Sequence, residues 1–187
     1  LAKNVLLADS FGAGVDFGYV GLSALGREDA VVVILSYALQ LYFDFSGYCD
    51  MARGIGRMLG IEIPVNFDSP YKAVNIIDFW KRWHITLNRF FTKYVYIPLG
   101  GNRRGPARMY LNLLVVFLLS GLWHGAGWHY LVWGAMHGVL YVATRFWQKY
   151  RAGRGGMRRE AKHRFMTIVS QISVFLYVAV AWVYFRA

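Results

Sequence analysis

Residues 109–127 read MYLNLLVVFLLSGLWHGAG, an apolar run from Met109 to Trp123 that closes on a histidine set among glycines. A run of this kind has no polar face to turn toward water, so it belongs in a bilayer or in a deep core. The stretches around it decide between the two. Tyr130 to Trp147 and Met166 to Phe185 are apolar runs long enough to cross ~30 Å of hydrocarbon at ~1.5 Å per residue. A fourth begins at Ala30, is nearly pure apolar from Val31 to Phe43, and continues through Asp44-Phe45-Ser46-Gly47-Tyr48-Cys49-Asp50 without a breaker until Gly60. The expected fold is therefore all-α and polytopic, a single membrane-embedded core over 1–187 with about four transmembrane helices, at 30–58, 109–124, 129–148 and 166–185.

Composition agrees. The chain is 57% hydrophobic and 18% aromatic, yet carries a net charge of +11. In a soluble nucleic-acid binder the basic residues would be interleaved with polar surface; here they cluster between apolar runs, so no nucleic-acid partner is expected and the lipid bilayer is. The chain starts at Leu1 without a methionine or signal segment and stops just after an apolar run, which reads as a fragment of something longer. Cys49 is the sole cysteine and suits helix packing.

Between the spans the signals are more local. Residues 1–27 look like a Gly-rich connection. Pro64 and Pro70 argue for an extended loop between Ile61 and Ala73. Asn75 can cap a helix with Asp78 at its positive end. Ile76, Phe79, Trp80, Trp83, Leu87 and Phe90 recur at helical spacing while most of the charges fall elsewhere, which predicts an interfacial or re-entrant helix over 75–93. A turn at Tyr96-Ile97-Pro98-Leu99-Gly100-Gly101 ends it.

Basic residues orient the spans. The loop over 149–164 carries Lys149, Arg151, Arg154, Arg158, Arg159, Lys162 and Arg164 against one Glu, and Arg103, Arg104 and Arg108 precede the Met109 run. Both loops are expected in the cytoplasm, and with them the segment containing the interfacial helix. Residues 109–147 then form a hairpin whose turn, His124 to His129, points to the far side. From Met109 to Trp123 is ~22 Å of helix, short of the ~30 Å of a full crossing, which would leave His124 past the midplane but still inside the membrane.

An ionisable group in such surroundings is costly and is by default a functional hypothesis, although a histidine there can also serve as a hydrogen-bonding partner for a neighbouring helix. His124 is the prime case, with Trp123 able to wall a pocket beside it. His84, forty residues earlier on the interfacial helix, would on its own read as a surface anchor. Together the two could line a path through the bilayer, one on the cytoplasmic side and one beyond the midplane. Histidine suits proton transfer near neutral pH. Metal binding competes, because His129 and His137 lie nearby, but no carboxylate or cysteine stands at ligand spacing and no metal is expected. Asp44 and Asp50 could pair with Arg53, Arg57 or Arg82, and Gly134 and Gly138 form a close-packing step beside His137.

Five linked motifs resemble the membrane-bound O-acyltransferases, in the branch of the bacterial alginate O-acetyltransferase membrane subunit. They are Gln40-Leu41-Tyr42-Phe43-Asp44-Phe45-Ser46-Gly47-Tyr48, Pro64-Val65-Asn66-Phe67 with Pro70-Tyr71, Asp78-Phe79-Trp80-Lys81-Arg82-Trp83-His84, Tyr96-Ile97-Pro98-Leu99-Gly100-Gly101-Asn102-Arg103, and Gly121-Leu122-Trp123-His124-Gly125. The resemblance implies that His124 is the essential histidine and His84 the second polar position. It implies an acyl, most often acetyl, group moved from a cytoplasmic thioester such as acetyl-CoA or an acyl carrier to a hydroxyl. It also implies no tightly bound cofactor, an inner-membrane location, and an extracytoplasmic partner of hydrolase-like fold that modifies an exopolysaccharide. Many members of that family carry an Arg-Asp pair where this chain has Phe91-Thr92-Lys93-Tyr94, and Lys93 argues against carrying over an acidic role there.

The reading that follows has the donor arriving near His84, Lys81 and Arg82, with Trp83, Trp123 and Asp44 in support, and His124 as general base or as a transient acyl carrier. A histidine-lined transporter or flippase subunit, a scaffold for a periplasmic partner, and D-alanyl transfer are the alternatives.

Overall fold

A computed structural model describes residues 2–21, 25–153 and 164–186, and every described element is helical. Lys3–Ala8 is π-helical and runs into α1 (Asp9–Val20); α2 is Arg27–Met58, α3 Ile76–Arg82, α4 Ile85–Phe91, α5 Pro106–His124, α6 Trp128–Gly153 and α7 Arg164–Arg186. Three of these, α2, α5 and α7, are long and apolar enough to cross a membrane. The fourth expected span is helical throughout but falls outside that group. It exceeds the needed length, and its C-terminal part carries Arg145, Lys149 and Arg151. Of the expected basic loop over 149–164, residues 149–153 are instead the end of α6 and Arg164 opens α7, while 154–163 lie outside the described residues.

Two compact units divide the chain: Leu1–Asn66 with Val178–Val183, and Phe67–Tyr177 with Tyr184–Ala187. In the first, the expected connection over 1–27 is instead largely helix, laid against α2. Its glycines are contact points, not breakers: a Cβ on Gly12 would come within 2.8 Å of Gln40 Nε2, and one on Gly18 would strike the Val33 side chain. Small residues let helix backbones approach closely, and this requirement imitates a loop composition. Lys3 Nζ binds Asp50 at 2.6 Å, and Asn4 Nδ2 donates to Asp44 Oδ1 at 2.8 Å. Asp44 and Asp50 thus take their partners from the N-terminal helix, not from Arg53, Arg57 or Arg82.

In the second unit α5 and α6 form the expected hairpin. A Cβ on Gly134 would lie 2.5 Å from the Phe117 carbonyl oxygen, and one on Gly121 would overlap that of Tyr130. Buried Asn112 donates to the carbonyls of Leu99 (3.3 Å) and Gly101 (3.2 Å), pinning the Tyr96–Gly101 turn to α5. Gly100 and Gly101 have φ of +103° and +52°, which other residues adopt only with strain. Gln171 of α7 donates to the Lys72 carbonyl at 2.8 Å, and Phe175 meets Tyr71 edge-on at 4.9 Å.

Candidate active site

The expected single helix over 75–93 is two helices. Asn75 caps the first as anticipated, accepting from the Asp78 N–H at 2.9 Å, while the Val74 N–H donates to the Asp78 carboxylate at 3.2 Å. After Arg82 the backbone leaves the helix: Trp83 is extended and His84 is left-handed, with φ +45° and ψ +54°. A non-glycine residue held in that region costs of order 1 kcal/mol or more. The break frees carbonyl groups that an unbroken helix would have used. The Asn88 side chain donates to the Trp80 carbonyl, and the Asp68 N–H donates to that of Arg82 at 3.0 Å. The kink is thereby satisfied from both sides.

An aromatic cluster seats α3 on α6. Fully buried His137 lies 5.1 Å from Trp80, 5.0 Å from Trp133 and 6.3 Å from Phe79, ring centre to ring centre, and the Tyr177 hydroxyl donates to the Met136 carbonyl at 2.7 Å. His137 is thus the packing histidine its glycine neighbours suggested. Trp80 continues to Phe117 of α5 at 5.3 Å. The α3–α4 segment therefore lies along the C-terminal half of α5, the half that leads to His124.

His124 ends α5 inside a ring of aromatics: Trp123 at 4.8 Å, Phe185 at 4.8 Å, Trp133 at 5.3 Å and Tyr130 at 6.3 Å. Two expectations about it change. Pro106 starts α5 three residues before Met109, so the helix has 19 residues and a length of ~28 Å, close to the full ~30 Å. Length alone does not hold His124 inside the hydrocarbon; what screens it is neighbouring side chains. The two histidines, expected on opposite sides of the membrane, are also linked through charge. They are near enough for the charge of one to act on the other: burial first, and then the repulsion of His124, push the His84 pKa down to about 4 against the backbone hydrogen bond that raises it. His84 is a neutral imidazole at pH 7 and has a lone pair to offer.

His84 and Trp80 line one part of a cavity of about 200 Å³ between α4, α5 and α6. Leu87, Asn88 and Phe91 of α4, Val116, Phe117 and Ser120 of α5, and Tyr96, Asn102, Tyr141 and Arg145 complete its wall. Of the other expected site residues, Trp83 is buried against Phe67 (5.0 Å) and Phe79 (5.7 Å), and holds the kink without lining the cavity. Arg82 is tied to Asp78 at 2.9 Å and stands 3.6 Å from Asp68, and the Asp78 hydrogen bond raises its pKa further. Lys81 is exposed and, like Arg82, is not in the cavity wall. Asp44 is an exposed residue of the first unit. Among the described residues no three His, Cys, Asp or Glu side chains gather as a metal site would need.

Sequence reasoning passed over Ser120, Tyr96, Tyr141 and Arg145. One signal for Arg145 was present: from Phe79 to Arg159 the chain has no Asp or Glu at all, so a basic residue there cannot be neutralised by its neighbours in sequence.

Comparison with known proteins accords with this geometry. The chain is 46% identical over 187 residues to a peptidoglycan O-acetyltransferase of Helicobacter pylori, covering 100% of this chain and 34% of that protein. It is 40% identical over 185 residues to a probable alginate O-acetylase AlgI of Pseudomonas aeruginosa, covering 99% and 34%. A teichoic acid D-alanyltransferase of Bacillus subtilis is 33% identical over 129 residues, covering 64% and 32%. The chain thus spans about a third of the length of the curated relatives it matches. A family model described as MBOAT, membrane-bound O-acyltransferase family, matches residues 30–186, and with three helices long enough to cross a membrane this protein belongs to that family.

Proposed function

We propose that the whole protein transfers an acyl group, in the first instance acetyl, from a cytoplasmic thioester to a hydroxyl on an extracytoplasmic polysaccharide or on a partner protein that passes it on. His84 in the wall of a cavity and His124 within its ring of aromatics, on a chain of this family, carry this reading. In the proposed reaction a neutral imidazole, that of His124, takes the proton of the acceptor hydroxyl as its oxygen attacks the thioester carbonyl. The tetrahedral intermediate then collapses, the C–S bond breaks, and the departing thiolate recovers the proton from the imidazolium. His84, neutral in the cavity wall, accepts or relays a proton in the same reaction. The apolar and aromatic wall excludes the water that would hydrolyse the thioester.

Location in the inner membrane, with the basic loops in the cytoplasm and an extracytoplasmic hydrolase-fold partner, belongs to the same proposal. The similarity to a D-alanyltransferase supports a second donor, a D-alanyl thioester on a carrier protein, handled by the same chemistry. The decisive experiment follows labelled acetyl and D-alanyl thioesters with full-length protein in vesicles. His124→Ala should lower transfer by at least about 100-fold, the scale of a lost general base. Unchanged transfer in that variant would remove His124 from the chemistry. Solute flux without thioester consumption would replace the enzyme with a transporter.

A further inference from the structure

We propose that Arg145 anchors the phosphate ester of the thioester donor, so that the donor approaches the histidines from the Arg145 side of the α5–α6 hairpin and not past Lys81 and Arg82. This rests on the acyltransferase reading and adds to it a donor-recognition residue. Arg145 lines the cavity that holds His84, and also a second cavity of about 470 Å³ lined by Met109, Tyr110, Gln148 and Lys149. Asn102 and Arg145 are common to both walls, so the two spaces adjoin there. On α5 the joined walls run from Ser120 to Pro106, ~21 Å along the helix axis. That shape suits a long, thin molecule with its reacting group at one end and its charge further along, and is too extended for a compact ester.

The charge on the wall is of one sign. Neither cavity has an acidic residue in its lining, and the stretch from Phe79 to Arg159 has none. Among the described residues Arg145 makes no ion pair, and its charge acts on the Tyr96 and Tyr141 phenols. Arg82, by contrast, is already engaged by Asp78 and Asp68. A guanidinium presents parallel N–H donors that match a phosphate, and Lys149 beside it adds a second positive charge. A bound anion would supply the counter-charge that this wall lacks among the described residues. A phosphate between a pantetheine arm and either a nucleotide or a carrier-protein serine supplies it at the required remove from the thioester.

The test uses full-length protein in nanodiscs of zwitterionic lipid and three acetyl donors: acetyl-CoA, acetyl-phosphopantetheine on a carrier protein, and phosphate-free acetyl-pantetheine. Arg145→Gln should raise KM for a phosphate-bearing donor by about tenfold, the scale of a charge-assisted hydrogen bond, with kcat little changed. Kinetics with acetyl-pantetheine should match wild type, and Arg145→Lys should recover part of the loss. A rise confined to acetyl-CoA or to the carrier assigns the source of the phosphate. An equal loss on acetyl-pantetheine, or no change with any donor, overturns the proposal. Binding is read separately, with desulfo-CoA and with unacylated carrier. Affinity should fall in Arg145→Gln and hold in His124→Ala, whether or not any thioester is consumed. A lack of turnover by the wild type would therefore strike the acyltransferase reading alone. Binding of both probes unaltered by Arg145→Gln overturns the anchor. So does an Arg145 effect that appears only in phosphatidylglycerol vesicles with probe affinity unchanged, because the phosphate is then that of a lipid.

Discussion

At the scale of single residues the site depends on a backbone exception. His84 occupies left-handed space between two short helices, and histidine is one of the few non-glycine residues enriched there. The local cost is offset by Asn88 and Asp68, whose bonds to the freed carbonyls would have no purpose in a straight helix. Burial and the nearby His124 keep the ring neutral, with a pKa near 4 in place of 6.5. The unfolded chain therefore takes up a proton below 6.5 that the folded chain refuses until about 4. The stability tied to this group is complete above pH 6.5, drains away between 6.5 and 4, and loses nothing more below. Thermal midpoints in detergent should fall more steeply over that window for wild type than for His84→Gln; parallel curves would show that His84 is not the buried neutral base described here. The acid limb of the acyl-transfer rate should likewise lie toward pH 4, not near 6.5.

Among the elements, the α5–α6 hairpin is the rigid part. Gly121 and Gly134 face backbone atoms across it, and Gly138 faces Phe117 Cβ at 3.0 Å, so an added methyl meets groups that cannot swing aside. Gly134→Ala should cost about 1–3 kcal/mol, the usual range for overpacking, and should displace Phe117 and Trp133, on which both the cavity and His124 depend. A lowered midpoint of thermal unfolding with reduced acyl transfer is the expected outcome; full stability would mean that the hairpin is looser than this contact implies. Gly153, which meets nothing within 4 Å, is the matching control site. The α3–α4 pair behaves differently. Each helix is only seven residues long, too short to persist alone, and the aromatic contacts of Trp80, Phe79 and Trp83 hold it in place.

For the whole molecule, the distribution of charge makes the testable statement. Basic residues gather at the N-terminal end of α5 and the C-terminal end of α6, which by the positive-inside tendency belong on the cytoplasmic side. In a Cys49→Ser background, Gly153→Cys should react with an impermeant thiol reagent only from the cytoplasm. Labelling from outside would invert the orientation and the direction proposed for the donor.

The long helices, the Asn75 cap, the hairpin and the presence of titratable His124 in apolar surroundings were all legible in the sequence. Each rests on local information: apolar length, a side chain within hydrogen-bond reach of its own helix, a titratable group where titratable groups are costly. Tertiary structure alone decided the rest. The N-terminal helix hid behind glycines that serve packing, since composition does not separate a close contact from a turn. The break at His84 could not be read from periodicity, because Trp83, Leu87 and Phe90 keep helical spacing across it. Asp44 and Asp50 found partners some forty residues away, and Arg145 entered the cavity wall by sharing it with residues from four separate segments. What changed most was the relation of the two histidines. The sequence set them at opposite ends of a path, whereas in the folded chain the charge of His124 acts on the His84 ring. That coupling is set by where distant side chains pack, and no spacing along the chain records it.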